Sequence, residues 1–207
     1  MFFVVKNLCY KVGNNEILIK KNFSLQQGKH LIISGSSGSG KTTLMNLMSG
    51  LLKPSSGSIS FEGFDYSNLN DENIDKIRSK YFGFIFQRLH LIKHLSVEQN
   101  ILLGLNKNQS INTDQLLDEI DLKKKKTQLA KHLSFGESQR VAIVRGVINS
   151  PKIIFADEPT SSLDDKNTKK VLELIFSQAK KNNSSIILSS HDQRVKKFLK
   201  NVLEIRL

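Results

Sequence analysis

The chain has 207 residues, and this length predicts one domain with a sizeable core, or one core that carries an inserted lobe. Lysine and arginine total 31 against 19 acidic residues, so the formal net charge of +12 favours an anionic partner without indicating a fold. The single cysteine, Cys9, excludes an internal disulfide and is typical of a protein made for a reducing compartment.

The first part of the chain alternates short apolar runs with turn residues. FFVV, EILI and HLIIS are separated by Gly13 and Gly28, a pattern that predicts a small sheet leading into a central strand. After a glycine-rich turn, apolar residues recur at helical spacing as far as Gly50. The sequence therefore predicts a strand, a turn and a helix in succession.

The middle of the chain changes character after the run FGFIFQ. Apolar residues such as Leu116, Leu117 and Ile120 then follow helical spacing, before KIIFA and SIIL resume the bounded runs of a parallel sheet. The lysine run at 123–126 is predicted to be a solvated helix face or loop. We predict an α/β protein with a single domain, whose core and β subdomain cover about 1–87 and 147–207 and whose helical subdomain covers about 88–146.

The stretch GSSGSGKTT lies between the predicted strand and the predicted helix and satisfies the pattern GxxxxGK[ST]. Its glycines allow backbone N–H groups to converge on a phosphate, and the helix N-terminus favours negative charge. A turn that binds nothing would not require the lysine, the threonine, a strand before it and a helix after it. The predicted phosphate-binding residues are Gly35, Ser36, Ser37, Gly38, Ser39, Gly40, Lys41, Thr42 and Thr43.

Within this loop, two side chains have separate predicted tasks. Lys41 is expected to reach the terminal phosphates and act in catalysis, and Thr42 is expected to offer its hydroxyl to Mg²⁺. The loop by itself is equally typical of kinases, GTPases, recombinases and transporter motors.

Two acidic residues, Asp157 and Glu158, follow the apolar run KIIFA. A buried strand would deliver both to the carboxyl edge of the sheet, where ligands bind in open α/β folds. We predict that Asp157 binds Mg²⁺, directly or through water, and that Glu158 polarises the attacking water as general base. An exposed strand end or a helix cap would seldom carry Asp-Glu-Pro at this place.

The segment LSFGESQR, Leu133 to Arg140, resembles the signature of ABC transporter ATP-binding subunits, and the resemblance covers essentially the whole chain. It implies a P-loop NTPase fold of the ABC ATPase type. Such a fold has a RecA-like core, an N-terminal antiparallel β subdomain and an inserted α-helical subdomain. The resemblance also implies that the protein hydrolyses ATP with Mg²⁺.

Further site residues are implied by the same resemblance. Gln87, expected at the end of an apolar strand, matches the Q-loop glutamine, which would touch the Mg²⁺ sphere or the attacking water. His191 matches the switch histidine, which would sense the γ-phosphate. Tyr10 matches the aromatic residue that stacks on adenine, a contact worth about 1–3 kcal/mol. Asp164 ends SSLD, which matches the D-loop. We expect structural roles for His30, His90, His94 and His132.

The signature implies a second ATPase subunit. Ser134 and Gly136 would meet the γ-phosphate held by the other subunit of a head-to-tail homodimer or heterodimer, with Asp164 in the same interface. The family commonly has glycine and glutamine where this chain has Phe135 and Glu137. Because Ser134 and Gly136 are kept, we expect a working site, and we expect the bulky Phe135 to affect its rate and geometry.

Two longer stretches, FGFIFQRLHLIKHLSVEQNILLGL and QRVAIVRGVINSPKIIFADEPTSSLD, are most similar to the LolD, MacB and FtsE subgroup. This implies a motor for an integral membrane permease of lipoprotein-release or export type, with residues of about 86 to 105 forming the groove for its coupling helix. No stretch approaches the roughly 18 apolar residues that cross a bilayer, and Lys6 interrupts the N-terminal MFFVV. We therefore expect a cytoplasmic protein, peripheral on the cytoplasmic face of the inner membrane.

Two other functions stay open. A soluble ABC protein acting on nucleic acid or the ribosome would suit the positive charge, but the known soluble types have two fused ATPase halves or long coiled-coil insertions. A small-molecule P-loop kinase would leave the signature, Asp164 and His191 without a role. We expect no specific nucleic-acid partner.

Overall fold

The computed structural model describes residues 1–106, 111–161, 163–199 and 202–207. Ser162 of the predicted D-loop and residues 107–110 of the predicted helical subdomain lie outside the described residues. In chain order the strands and helices are β1 (Phe3–Val12), β2 (Asn15–Leu25), β3 (Leu31–Ser34), α1 (Lys41–Met48), β4 (Ser56–Phe61), β5 (Phe64–Asp65), α2 (Asp71–Tyr81), β6 (Phe82–Ile85), α3 (Val97–Leu102), α4 (Thr113–Glu119), α5 (Phe135–Val147), β7 (Ile153–Asp157), α6 (Asp165–Lys181), β8 (Ser185–Ser190), α7 (Gln193–Phe198) and β9 (Leu203–Arg206).

An antiparallel sheet forms the first layer, with strand order β2-β1-β4-β5. Along β1 the inward side chains of Phe3, Val5 and Leu8 are buried, while the lysines at positions 6 and 11 face solvent. This alternation is expected of a sheet that covers a core with one face.

The second sheet is parallel, with strand order β6-β7-β8-β3-β9. Strands β3 and β8 are buried at every position, as the continuous apolar runs of a sheet covered on both faces require. In parallel strands the carboxyl ends share one edge. Here that edge carries the glycine-rich turn after β3, Asp157 at the end of β7 and His191 after β8.

Among the described residues, three clusters of buried apolar side chains hold these layers together. The first joins the antiparallel sheet, α1 and α2 to one face of the parallel sheet, and the second joins α6 and α7 to the other face. The third lies among α3, α4 and α5. Side chains of α5 belong to both the second and third clusters, so this helix connects the helical segment to the parallel sheet.

The predicted α/β class, with an antiparallel β subdomain and a helical insert, is confirmed. Two details differ from expectation. Strand β6 ends at Ile85, so Gln87 lies in the loop beyond it and not at the strand end. The lysine run is solvated only at Lys123 and Lys124, because Lys125 and Lys126 are partly buried in ion pairs with neighbouring carboxylates.

Among the described residues, no helix is both long enough and apolar enough to cross a bilayer.

The contact of α5 with β6 depends on two glycines. A β-carbon added to Gly146 would lie 2.3 Å from the Phe84 carbonyl oxygen, and one added to Gly83 would lie 2.2 Å from the Gly146 carbonyl oxygen. Both distances are far below van der Waals contact, so either change would push the helix away from the strand.

We predict that Gly146→Ala lowers the free energy of unfolding by about 1–3 kcal/mol, the usual cost of overpacking a core. Denaturant titration followed by circular dichroism would measure the change. Gly136→Ala is the matched control, because it is also on α5 and its added β-carbon would meet nothing closer than 3.9 Å. Equal stability of Gly146→Ala and the parent protein would show that this close approach is not needed.

Candidate functional site

The glycine-rich turn joins β3 to α1 in the way the sequence predicts. Gly38 and Gly40 have φ angles of 79° and 95°, which L-residues with side chains rarely adopt. Each of the helices α2 to α7 is preceded by an N-cap residue whose side chain accepts a hydrogen bond from a backbone N–H group of the first turn. The N-cap residue of α1 is Gly40, which has no side chain. The N-terminal N–H groups of α1 are therefore available to an anion.

Lys41 lies inside this turn with 7% of its side chain exposed. Its Nζ donates hydrogen bonds to the carbonyl oxygens of Gly35 (2.9 Å) and Ser36 (2.8 Å), and it is 3.5 Å from Oε1 of Glu158. A buried ammonium group with only carbonyl and carboxylate neighbours is well placed to exchange them for phosphate oxygens.

A hydroxyl and a carboxylate meet beside the turn. Thr42 Oγ1 donates to Oδ2 of Asp157 at 3.0 Å, and the Ser189 hydroxyl donates to the other carboxylate oxygen. Hydroxyl and carboxylate oxygens are the ligands that Mg²⁺ takes in nucleotide sites, usually together with phosphates and water. The pair therefore fits a magnesium ion.

Glu158 is held in a constrained position. Its φ angle is 47°, a backbone strain of about 1–3 kcal/mol that surrounding contacts must impose. Its N–H donates to both the carbonyl and the hydroxyl oxygen of Ser189, each at 3.1 Å. Its Oε1 is 2.9 Å from Nδ1 of His191, while its buried Oε2 has no hydrogen-bond partner among the described residues. A fixed carboxylate with one unused acceptor can accept a proton from water.

These side chains surround one cavity, here called the phosphate-loop cavity. Gln87 reaches it from the loop after β6, and His191, with 61% of its side chain exposed, reaches it from the end of β8. The cavity is lined by Ile17, Ser37, Gly38, Gly40, Lys41, Thr42, Thr43, Gln87, Glu158 and His191.

Four of the predicted nucleotide-binding residues do not line this cavity. Gly35 and Ser36 line an adjoining cavity together with His191, and Ser39 is half-buried with its hydroxyl oxygen shielded from water. Tyr10 packs against the first core cluster and does not line the phosphate-loop cavity. Its stacking role stays a prediction.

Two residues of the site were not predicted. Ile17 lines the cavity from β2, and its Cγ2 lies 3.3 Å from the position of a β-carbon on Gly40. Ser189 fixes both Asp157 and the backbone of Glu158. The available signal for Ser189 was a polar residue at the carboxyl end of an apolar strand that precedes His191.

The predicted signature forms the start of α5. Ser134 Oγ accepts from the Glu137 N–H at 3.3 Å, and the Glu137 carboxylate accepts from the Ser134 N–H at 2.9 Å, which completes a capping box. Phe135, 55% exposed, and Gly136 occupy the first two positions of the helix. The signature therefore presents a helix N-terminus and an exposed aromatic ring on the surface.

Asp164 begins α6 by accepting from the Asn167 N–H at 2.7 Å. Together with Ser134, Phe135 and Gly136 it lines a second cavity between α5 and α6, here called the signature cavity. No described residue lines both this cavity and the phosphate-loop cavity. The two sets of predicted residues thus lie on separate surfaces of one chain.

Residues 18–161 match the protein family described as ABC transporter. The chain belongs to the ABC transporter family. It is an ABC-type ATPase and an ATP-binding subunit, as the signature predicted. The identity to a LolD protein also confirms the predicted similarity to the LolD type.

The ABC chain is 40% identical to the lipoprotein-releasing system ATP-binding protein LolD of Buchnera aphidicola, over 98% of this chain and 91% of that protein. It is 38% identical to the ATP-binding protein HrtA of Staphylococcus haemolyticus, over 100% of this chain and 97% of that protein. Its fold is similar to the ATP-binding cassette MJ0796 in a dimeric post-hydrolysis state bound to ADP and Pi, with a TM-score of 0.83 and 29% identity over 99% of this chain and 94% of that chain.

For the ABC subunit we predict that Glu158→Gln keeps ATP binding but lowers turnover by about 10²-fold or more, because the amide cannot accept the proton of the attacking water. Phosphate release and nucleotide affinity would be measured side by side. Glu72→Gln makes the same chemical change in an exposed ion pair with Lys76 and should leave turnover at the parent level. Parent-level turnover of Glu158→Gln would remove Glu158 from the mechanism.

Proposed function

We propose that the chain is the motor subunit of a transporter or mechanotransmission complex, in which ATP closes two ATPase subunits on each other and the closure moves a membrane permease. The observation that carries the proposal is the separation of the phosphate-loop cavity from the signature cavity within one chain. A helix N-terminus that does not line the phosphate site of its own subunit can contact the phosphate bound by a second subunit.

The turn and four side chains of the phosphate-loop cavity have separate tasks in this proposal. The turn and Lys41 bind the phosphates of ATP. When Lys41 exchanges its contacts with the two carbonyl oxygens and with Glu158 for contacts with phosphate, the Glu158 carboxylate is released. Glu158 then accepts a proton from water, and His191, hydrogen-bonded to it, contacts the γ-phosphate. Gln87 connects this cavity to the helical segment that follows it in the chain.

A magnesium ion would bind at the oxygen ligands beside the turn. Thr42 and Asp157 would hold it, directly or through water, with Gln87 at the same cavity. When bound, such an ion would supply positive charge that offsets the charge of the phosphates. Ser189 keeps the Asp157 carboxylate oriented toward Thr42.

The closed state requires the second subunit to present Ser134 and Gly136 to the γ-phosphate, with Asp164 beside them. Because Ser134 begins a helix of 13 residues, its hydroxyl and the following N–H groups lie at the positive end of the helix dipole. Phe135 is exposed at the same end, so closure would cover an aromatic ring that otherwise faces water.

We predict that Ser134→Arg keeps ATP binding by the monomer but abolishes the cooperative part of hydrolysis, because a long cation would occupy the place of the facing phosphate. The parent protein should hydrolyse more ATP per subunit as its concentration rises, and the variant should not. Ser177→Arg, near the end of α6 that is opposite to Asp164, controls for the added charge and length. Equal concentration dependence in Ser134→Arg and the parent would contradict the cross-subunit role.

A groove on another surface is the proposed contact site for the permease. Its lining includes Leu51, Phe86 and Leu103, whose side chains are 47%, 43% and 54% exposed. Phe86 immediately precedes Gln87, so this surface is continuous in sequence with the phosphate-loop cavity. We propose that it accepts a cytoplasmic helix of the permease, which would place the subunit at the cytoplasmic face of the inner membrane.

The groove is also linked to the signature helix. Arg145 on α5 donates to the carbonyl oxygens of Leu89 and His90, both at 2.7 Å. Burial lowers the pKa of this guanidinium group, which has carbonyls as hydrogen-bond partners. A movement of the loop after Gln87 would therefore pull on α5 directly.

We predict that Phe86→Asp combined with Leu103→Asp abolishes sedimentation of the protein with membranes of its native cells, because two charges would be buried under a docked helix. ATP binding by the variant would report that it folds. Ile19→Asp is the control, since Ile19 is 58% exposed on β2, outside the groove. Unchanged sedimentation of the double variant would exclude this surface.

The type of cargo belongs to the same proposal. The identity to LolD supports a lipoprotein-release or export system, whereas HrtA is named for hemin import. Both relatives are ATP-binding proteins, so their likeness supports the motor role more than either cargo. We propose lipoprotein release or export, and copurification of the permease from native membranes would test it.

A further inference from the structure

Glu137 introduces a negative charge at the place where the proposed dimer needs to accept a phosphate. It lies in the first turn of α5, three residues after Ser134 and directly after Gly136. A carboxylate there stabilises the helix, but it also opposes the approach of an anion to the same helix N-terminus. The charge therefore needs compensation if the signature is to work.

Lys125 supplies an opposite charge at close range. Its Nζ lies 2.6 Å from Oε1 of Glu137, while Oε2 accepts from the Ser134 N–H at 2.9 Å. The two side chains are 39% and 17% exposed, so the pair is partly shielded from water. The hydrogen bond from Lys125, followed by that from the Ser134 backbone, lowers the pKa of Glu137, which keeps it ionised.

The pair also fixes the direction of Ser134. Because Oγ of Ser134 accepts from the Glu137 N–H, its own hydroxyl hydrogen is left to donate outward. Both carboxylate oxygens of Glu137 have a donor on this side of the helix. The geometry thus holds the serine as a hydrogen-bond donor and turns the carboxylate toward Lys125.

The position of Lys125 is set by a tight turn between α4 and α5. A 3₁₀ turn spans Lys123–Lys125 and follows the buried Leu122, whose carbonyl accepts from the Lys125 N–H at 2.8 Å. Arg140 of α5 donates from Nε to the Ile120 carbonyl at 2.9 Å and so binds the same segment to the signature helix. Lys125 therefore approaches Glu137 from a supported backbone.

The neighbouring lysines are engaged differently. Lys123 and Lys124 are exposed, and Lys126 pairs with Glu98 and Asp114. Within the four-lysine run, only Lys125 forms an ion pair with Glu137. Of the run, one lysine compensates the charge of Glu137 through a defined contact, while Arg140 and Lys170 are further cations that line the signature cavity.

We propose that Lys125 is a positioning residue of the signature: it neutralises Glu137 and holds Ser134 so that the N-terminus of α5 can accept the γ-phosphate bound to a second subunit. The proposal rests on the proposed function, because it requires ATP-driven closure of two subunits. It adds a residue outside the signature to the group that governs closure.

The test measures the Mg·ATP concentration that gives half-maximal dimer formation, by light scattering, in the Glu158→Gln protein as parent. Adding Lys125→Met should raise this concentration by roughly tenfold or more, because an unpaired carboxylate would then face the phosphate. Adding Glu137→Gln to Lys125→Met should bring the value back close to that of the parent. Glutamine keeps the capping box but carries no charge.

Two matched variants separate charge from packing. Lys124→Met removes the same charge from the adjacent exposed residue and should dimerise like the parent. Lys125→Arg keeps the charge and should also dimerise like the parent, and ATP affinity of the monomers should be equal in all variants.

The proposal is overturned if Lys125→Met dimerises like Lys124→Met, if Lys125→Arg is as defective as Lys125→Met, or if Glu137→Gln does not restore the Lys125→Met protein. A different result marks failure of the proposed function itself. In that case the parent binds Mg·ATP and stays monomeric, which removes the dimer and the role of Lys125 with it.

Discussion

The register of neighbouring parallel strands determines where the chemistry of this protein lies. Ser34 at the end of β3 pairs with Ser190 of β8, and Asp157 at the end of β7 pairs with Ser189. A shift of one residue along β7 would turn Asp157 to the opposite face of the sheet. Because the register is fixed by buried apolar strands, the fold itself brings the turn, both carboxylates and His191 to one edge.

Cations in this chain work at specific anionic contacts. Lys41 lies beside Glu158 in the phosphate-loop cavity, and Lys125 lies beside Glu137 at the signature. In both places a positive charge is matched to a carboxylate where a phosphate would approach. The net charge of +12 thus includes residues with local tasks, although a nucleic-acid partner would also be favoured by the overall field.

The fold and the contiguous parts of the site could be predicted from the sequence, since a glycine-rich turn, its lysine and the Asp-Glu pair each follow an apolar strand. Contacts between segments that are far apart in the sequence could not be predicted. Ser189 supports Asp157 across a strand pair, and Lys125 reaches Glu137 from another turn. The sequence marks Ser189 as a polar residue at a strand end, but in neither case does it indicate the partner. The lysine run was predicted to be a solvated helix face or loop, but composition alone does not show which of its lysines are partly buried against carboxylates.

The central claim is that two copies of the nucleotide site close on each other when ATP binds. The most direct measurement is the mass of the Glu158→Gln protein in solution with and without Mg·ATP, by light scattering after size exclusion. We expect a change from the 23.4 kDa monomer to a species of about twice that mass when Mg·ATP is present. A protein that remains monomeric with ATP demonstrably bound would contradict closure of a homodimer.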